Sequence, residues 1–179
     1  VWDPTDAGSQ PRGKQVRKPH GIWYTSTTGI WQTVWLEPVP QAYIKSIKIT
    51  PDLDRNCFWL VVDIAGDASK YVVHGEVILP PDSQGYRDIS GRWDYPGRAF
   101  FISLPESPKP KLWSPDSPYL YDLRVALHRK KDASSLGGDK IDEVTSYCGL
   151  RKISLGKDED GVTRLFLNNK PIFMFGPLD

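Results

Sequence analysis

The sequence predicts an all-β protein, an antiparallel β-sandwich, and three observations carry that expectation. Apolar and polar residues alternate at the period of two that turns one strand face toward a core. Sixteen prolines and fifteen glycines punctuate the 179 residues, as short strands joined by turns require. No segment repeats its apolar residues at the helical period of about 3.6.

The elements follow in chain order. The stretch to about residue 40 is irregular, with a loose basic cluster (Arg12, Lys14, Arg17, Lys18) that reads as a solvated loop. Gly21-Ile22-Trp23 is echoed by Gly29-Ile30-Trp31, too briefly for a repeat protein. The echo predicts a turn flanked by strands, ending in a strand over Thr33-Val34-Trp35-Leu36-Glu37 before Pro38 and Pro40 mark a boundary. Ile47 and Ile49 then alternate with Lys48, and Phe58-Trp59-Leu60-Val61-Val62 reads as a buried central strand with Trp59 in the core. Tyr71, Val73, Val77 and Leu79 share one face, His74 and Glu76 the other, and Pro80-Pro81 ends that strand. Ser90 to Gly97 reads as an exposed segment, and Ala99 to Leu104 as the next strand. Tyr121, Leu123, Val125 and Leu127 oppose Asp122, Arg124 and His128, and Ser134 to Asp139 reads as a hairpin loop before Ile141–Tyr147. Roughly six or seven strands over about a hundred residues is the count of an immunoglobulin-like two-sheet sandwich. The tail adds apolar runs at Leu150–Leu155, Arg164–Leu167 and Pro171–Phe175, with a tight turn at Asn168-Asn169.

Composition excludes several classes. Hydrophobic residues make up 39% and charged residues 25%, with net charge +1, so no global field draws nucleic acid, a membrane surface or an acidic partner. No apolar run reaches the length of a membrane span. Cys57 and Cys148 have no metal-type spacing; they allow one bridge and require none. Both ends read as cuts through structure, Val1-Trp2-Asp3-Pro4 as the tail of a strand and Phe173–Asp179 as a run stopped short. A fragment is expected, and its severed apolar ends invite self-association.

Catalytic patterns are missing from the sequence: there is no metalloprotease, nucleophile-elbow or phosphate-loop motif, and no cofactor is expected. His20, His74 and His128 are scattered and read as structural. A retaining glycosidase needs two carboxyl groups about 5–5.5 Å apart on a rigid frame. Here the acids fall in turns (Asp52, Asp54, Asp82) or a charged loop (Asp158, Glu159, Asp160), so no catalytic residue is assigned. Among the aromatics, Trp93 and Tyr95 are the candidates for stacking on a sugar ring.

Three segments together resemble glycoside hydrolase family 2, the group of β-galactosidases, β-glucuronidases and β-mannosidases. Gly29-Ile30-Trp31-Gln32-Thr33-Val34-Trp35-Leu36-Glu37 is similar to the run closing that family's jelly-roll domain. Leu112-Trp113-Ser114-Pro115-Asp116-Ser117-Pro118-Tyr119-Leu120-Tyr121 resembles its signature before the last sandwich strands. Gly149-Leu150-Arg151-Lys152-Ile153, followed by Leu167-Asn168-Asn169-Lys170-Pro171-Ile172, resembles its lead into the catalytic barrel, with Asn168-Asn169 where the family usually has Asn-Gly. Trp31, Trp113, Pro115, Tyr119 and Arg151 are therefore expected to be structural motif residues. The Arg151 guanidinium is expected to meet a buried acceptor or a domain seam.

The resemblance implies residues 1–39 as the end of a jelly-roll domain, 40–147 as the sandwich, and 148–179 as a connector with the start of a (β/α)₈ barrel. It also implies retaining hydrolysis by two barrel glutamates in a parent enzyme, a periplasmic or extracellular setting, and sugar contacts from Asp3 or Asp6. On this reading the chain is a non-catalytic spacer whose partners are the flanking domains of its own polypeptide and, in the parent, a carbohydrate substrate. A free-standing carbohydrate-binding module and an immunoglobulin-type protein-interaction domain are the alternatives.

Overall fold

The computed structural model describes all residues except 1–4, 6–7, 10–12, 82–86, 108, 132–137 and 177–179. The chain divides into two compact units, Val1–Pro38 with Phe175–Asp179, and Val39–Met174. Asp3, Asp6, Arg12, Asp82 and the Ser134–Gly137 part of the expected loop lie outside the described residues.

In the first unit two short strands, β1 (Gln15–Val16) and β2 (Tyr24–Thr25), pair in parallel. The strand expected over residues 33–37 does not form. Among the described residues that run has no neighbouring strand to take up its backbone groups, so its apolar side chains are solvated, Trp35 at 71% and Leu36 fully.

The second unit is an immunoglobulin-like antiparallel sandwich. Its strands are β3 (Tyr43–Asp52), β4 (Cys57–Ala65), β5 (Tyr71–Pro81), β6 (Arg87–Asp94), β7 (Ala99–Ser103), β8 (Tyr121–Arg129) and β9 (Lys140–Cys148). They form a three-stranded sheet, β3-β4-β7, and a four-stranded sheet, β6-β5-β8-β9, so the chain changes sheet at β4–β5, β6–β7 and β7–β8. Alternation places Phe58, Leu60, Val62 and Phe100 from one sheet against Val73, Val77, Leu123 and Leu127 from the other, all at most 1% exposed. Gly75 lies on the inner face of β5, where a Cβ would sit 3.0 Å from the Phe100 ring, so its missing side chain lets the sheets close. Tyr121 opens β8 and accepts the Lys111 N–H at 2.7 Å, the tyrosine-corner bond that fixes how a strand of this kind enters the sandwich.

Two expectations need correction here. Trp59 is on the outer face of β4, half-buried, because its neighbours Phe58 and Leu60 take the inward positions of the alternating strand. There it meets Phe101 across the ladder and donates Nε1–H to Asp52 at 3.3 Å. Trp93, expected in an exposed segment, is half-buried, because β6 pairs along β5 with Trp93 opposite His74.

After the sandwich come β10 (Ile153–Lys157), β11 (Thr163–Leu167) and β12 (Lys170–Pro171), an antiparallel three-stranded ribbon. Its second turn rests on Asn168 and Asn169 at φ 52° and 64°, the left-handed pair the sequence suggests. Its first turn is closed by Asp158, which accepts the Asp160 and Val162 N–H groups and pairs with Arg164. These bonds hold the Asp158 carboxyl below its ordinary value, with Arg164 the main cause. Apart from one turn of 3₁₀ helix at Ala68–Lys70 the described residues contain no helix, and none is long and apolar enough to cross a membrane.

Candidate functional site

Three of the motif residues, Trp113, Pro115 and Arg151, converge where the ribbon leaves the sandwich. The connection from β7 to β8 carries prolines, which cannot donate to a ladder. Ser114 and Ser117 close a small turn around Pro115 and Asp116 with reciprocal backbone bonds of 3.0 and 3.1 Å. Just before it, Trp113 donates its N–H to the Leu150 carbonyl at 2.9 Å. The Trp113 indole lies against Gly149 so closely that a Cβ there would come within 2.9 Å of it. The Arg151 guanidinium carbon sits 4.6 Å from the indole centroid. A cation over an exposed ring contributes about 0.5–1 kcal/mol. Arg151 is exposed and stacks on Trp113.

Asn168 ties the ribbon to this stack. Its side-chain Nδ2–H donates to the Trp113 carbonyl at 2.9 Å, and its Oδ1 accepts the Lys152 N–H at 3.0 Å. Its own N–H returns to the Lys152 carbonyl at 2.8 Å. The left-handed backbone turns the amide toward both partners at once, a conformation asparagine adopts more readily than most residues. Lys152 Nζ then reaches Asp54, in the β3–β4 turn, at 2.7 Å. The sequence suggests a turn at Asn168; that its side chain bridges two segments had no local signal.

Between these anchors lies a groove of about 200 Å³, lined by Trp113, Pro115, Arg151, Ile153, Leu165, Leu167, Ile172 and Met174, among others. A second hollow of about 360 Å³ shares Trp113 and Arg151 and extends to Ile49, Leu120 and Tyr147. Ile153 and Leu155 share one face of β10 and are 65% and 72% exposed, so the ribbon presents apolar side chains to solvent. Tyr119 is half-buried, edge-on to Tyr121 and beneath Lys111. It braces the connection from inside, away from the groove lining. Trp31 belongs to the first unit.

The sugar-stacking candidates have neighbours on their rings. The Trp93 ring lies 4.6 Å from His74 and 4.8 Å from His128, and Tyr95 has Lys130 and Arg98 cations at 4.5 and 5.7 Å. Glu76, buried beside His74, pairs with Arg124 at 2.7 Å. Burial pushes the His74 imidazole below its ordinary pKa; Glu76 opposes this and His128 adds to it. Cys57 and Cys148 are free thiols, each raised chiefly by burial, so neither is poised as a nucleophile. Among the described residues no group of three or more His, Cys, Asp or Glu side chains could hold a metal ion.

A family model described as glycosyl hydrolases family 2 matches residues 42–151, spanning the sandwich through Arg151. The chain belongs to glycosyl hydrolases family 2. Its relatives include a "Putative beta-glucuronidase" of Formosa agariphila, 30% identical over 152 residues, covering 83% of this chain and 17% of that protein. A β-galactosidase of Leuconostoc mesenteroides is 27% identical over 167 residues, which are 87% of this chain and 15% of the relative. The β-glucuronidase of Ruminococcus gnavus, solved in complex with D-glucuronic acid, shares the fold at 16% identity and a TM-score of 0.50, over 76% of this chain and 20% of that one. This family 2 chain thus spans about a sixth of the length of the curated relatives it matches.

Proposed function

We propose that this chain is the non-catalytic, immunoglobulin-like positioning domain of a family 2 glycoside hydrolase. In this reading residues 40–147 are the sandwich, 1–39 end a preceding jelly roll, and 148–179 lead into a catalytic barrel. The parent hydrolyses a β-glycoside, in keeping with the β-glucuronidase and β-galactosidase names of its relatives. The observation that carries the proposal is the ribbon. Its Ile153–Leu155 face is left to solvent, while Asn168, Lys152 and the Trp113–Arg151 stack fix its direction against the sandwich. A face that is both apolar and held in place serves to seat a neighbouring domain. Further support comes from carboxylates committed to local structure: Glu76 to Arg124, Asp54 to Lys152, Asp158 to Arg164 and its own turn. Asp3 and Asp6 remain proposed sugar contacts of the parent, and self-association through the exposed apolar ends is part of the same reading.

Purified chain incubated with aryl β-glucuronide and aryl β-galactoside is expected to release no aglycone. In the full-length protein, Ile153→Asp with Leu155→Asp is expected to lower thermal stability and activity together, and to leave the isolated sandwich as stable as before. Turnover by the chain alone, lost on replacing its own carboxylates, would overturn the proposal. For a free-standing carbohydrate-binding module, the test is oligosaccharide titration of Trp93→Ala and Tyr95→Ala. The ring neighbours of Trp93 and Tyr95 favour no loss of binding in either variant.

A further inference from the structure

We draw no further inference here: the strongest candidate, the half-buried Trp59 and its partner Phe101 beside Asp52 and Arg55 on the outer face of the three-stranded sheet, is an unpartnered sheet face, and nothing in the structure shows what covers it.

Discussion

The sandwich and the ribbon that follows it are both antiparallel β, yet they are stabilised in different ways. The sandwich buries Phe58, Leu60, Val62, Val73 and Leu127 completely. Each such side chain contributes about 1.5–3 kcal/mol by leaving water. The ribbon leaves Ile153 and Leu155 largely in water and depends on a left-handed turn, the Asn168 amide and the ion pairs Lys152–Asp54 and Asp158–Arg164. One region is therefore stable through its own apolar contacts. The other has its geometry set largely by polar ties, with Leu165, Phe166 and Leu167 only partly buried.

The sharpest way to break this contrast is to truncate one apolar residue in each region. Leu60→Ala should cost about 2–5 kcal/mol, because the flanking side chains of both sheets collapse only partly into the space left. Leu155→Ala, a chemically identical change at a 72% exposed position, should stay within about 0.5 kcal/mol. Urea unfolding followed by circular dichroism measures both. Equal losses would mean that the ribbon buries its apolar face in solution, and the distinction would fail.

Asn168 gives the next largest effect. Asn168→Ala removes two hydrogen bonds and places a Cβ-bearing residue without a polar side chain at φ 52°. A loss of about 1–3 kcal/mol is expected. Asn168→Gly keeps the turn and loses only the bonds, so its stability should fall between the other two. The decisive readout is local. Hydrogen exchange at the Lys152 amide should speed up in both variants while the amides of β8 keep their protection. Unchanged Lys152 exchange would show that the amide bridge does not hold the ribbon.

A pH series separates the sheets from the ribbon by a different route. His74 holds its proton less tightly when folded than in the unfolded chain, where a histidine titrates near 6.5. Between those two values the unfolded state binds more protons, so stability is complete above about pH 6.5 and declines as pH falls through the folded value. The groups around it are Glu76, Arg124, His128 and the Trp93 ring, all on the four-stranded sheet. Unfolding measured from pH 8 to 5 should show this decline, and His74→Gln should flatten it. A slope of the same size in the variant would assign the effect elsewhere. The carboxyls of Asp67 and Asp158, both held below their ordinary value, lose their contribution only at lower pH, approaching the carboxylate range.

The same contrast explains what could be read from the sequence. The sandwich strands were legible because burial leaves a period-two signature, as in Tyr71, Val73, Val77 and Leu79. β6 was not: it is an edge strand of mostly polar residues with Gly91 at its middle, so it carries little alternation. Trp59 differs because an unbroken apolar run does not reveal which residues face inward; the packing of the other sheet on Phe58, Leu60 and Val62 decides that. At the candidate site, Trp113, Pro115 and Arg151 stand out in the sequence through the family resemblance. That Arg151 and Gly149 embrace the Trp113 indole depends on segments far apart in sequence meeting in space. Asn168 was legible as a turn residue, since positive φ is a local property, and silent as a bridge, since its partners include Trp113.

The smallest expected effect tests whether the ribbon's direction is set partly from outside itself. Lys152 and Asp54 join the ribbon to the β3–β4 turn across the surface, with side chains 34% and 61% exposed. An exposed pair of this kind contributes about 0.2–1 kcal/mol and is screened by salt. Lys152→Ala and Asp54→Ala should therefore each cost less than about 1 kcal/mol at low ionic strength, and the cost should fade in high salt. The double variant should lose no more than the larger single one, because the second substitution removes a partner already alone. Additive losses would mean the two side chains act separately. The ribbon would then be oriented by Asn168 and the Trp113–Arg151 stack without help from the turn.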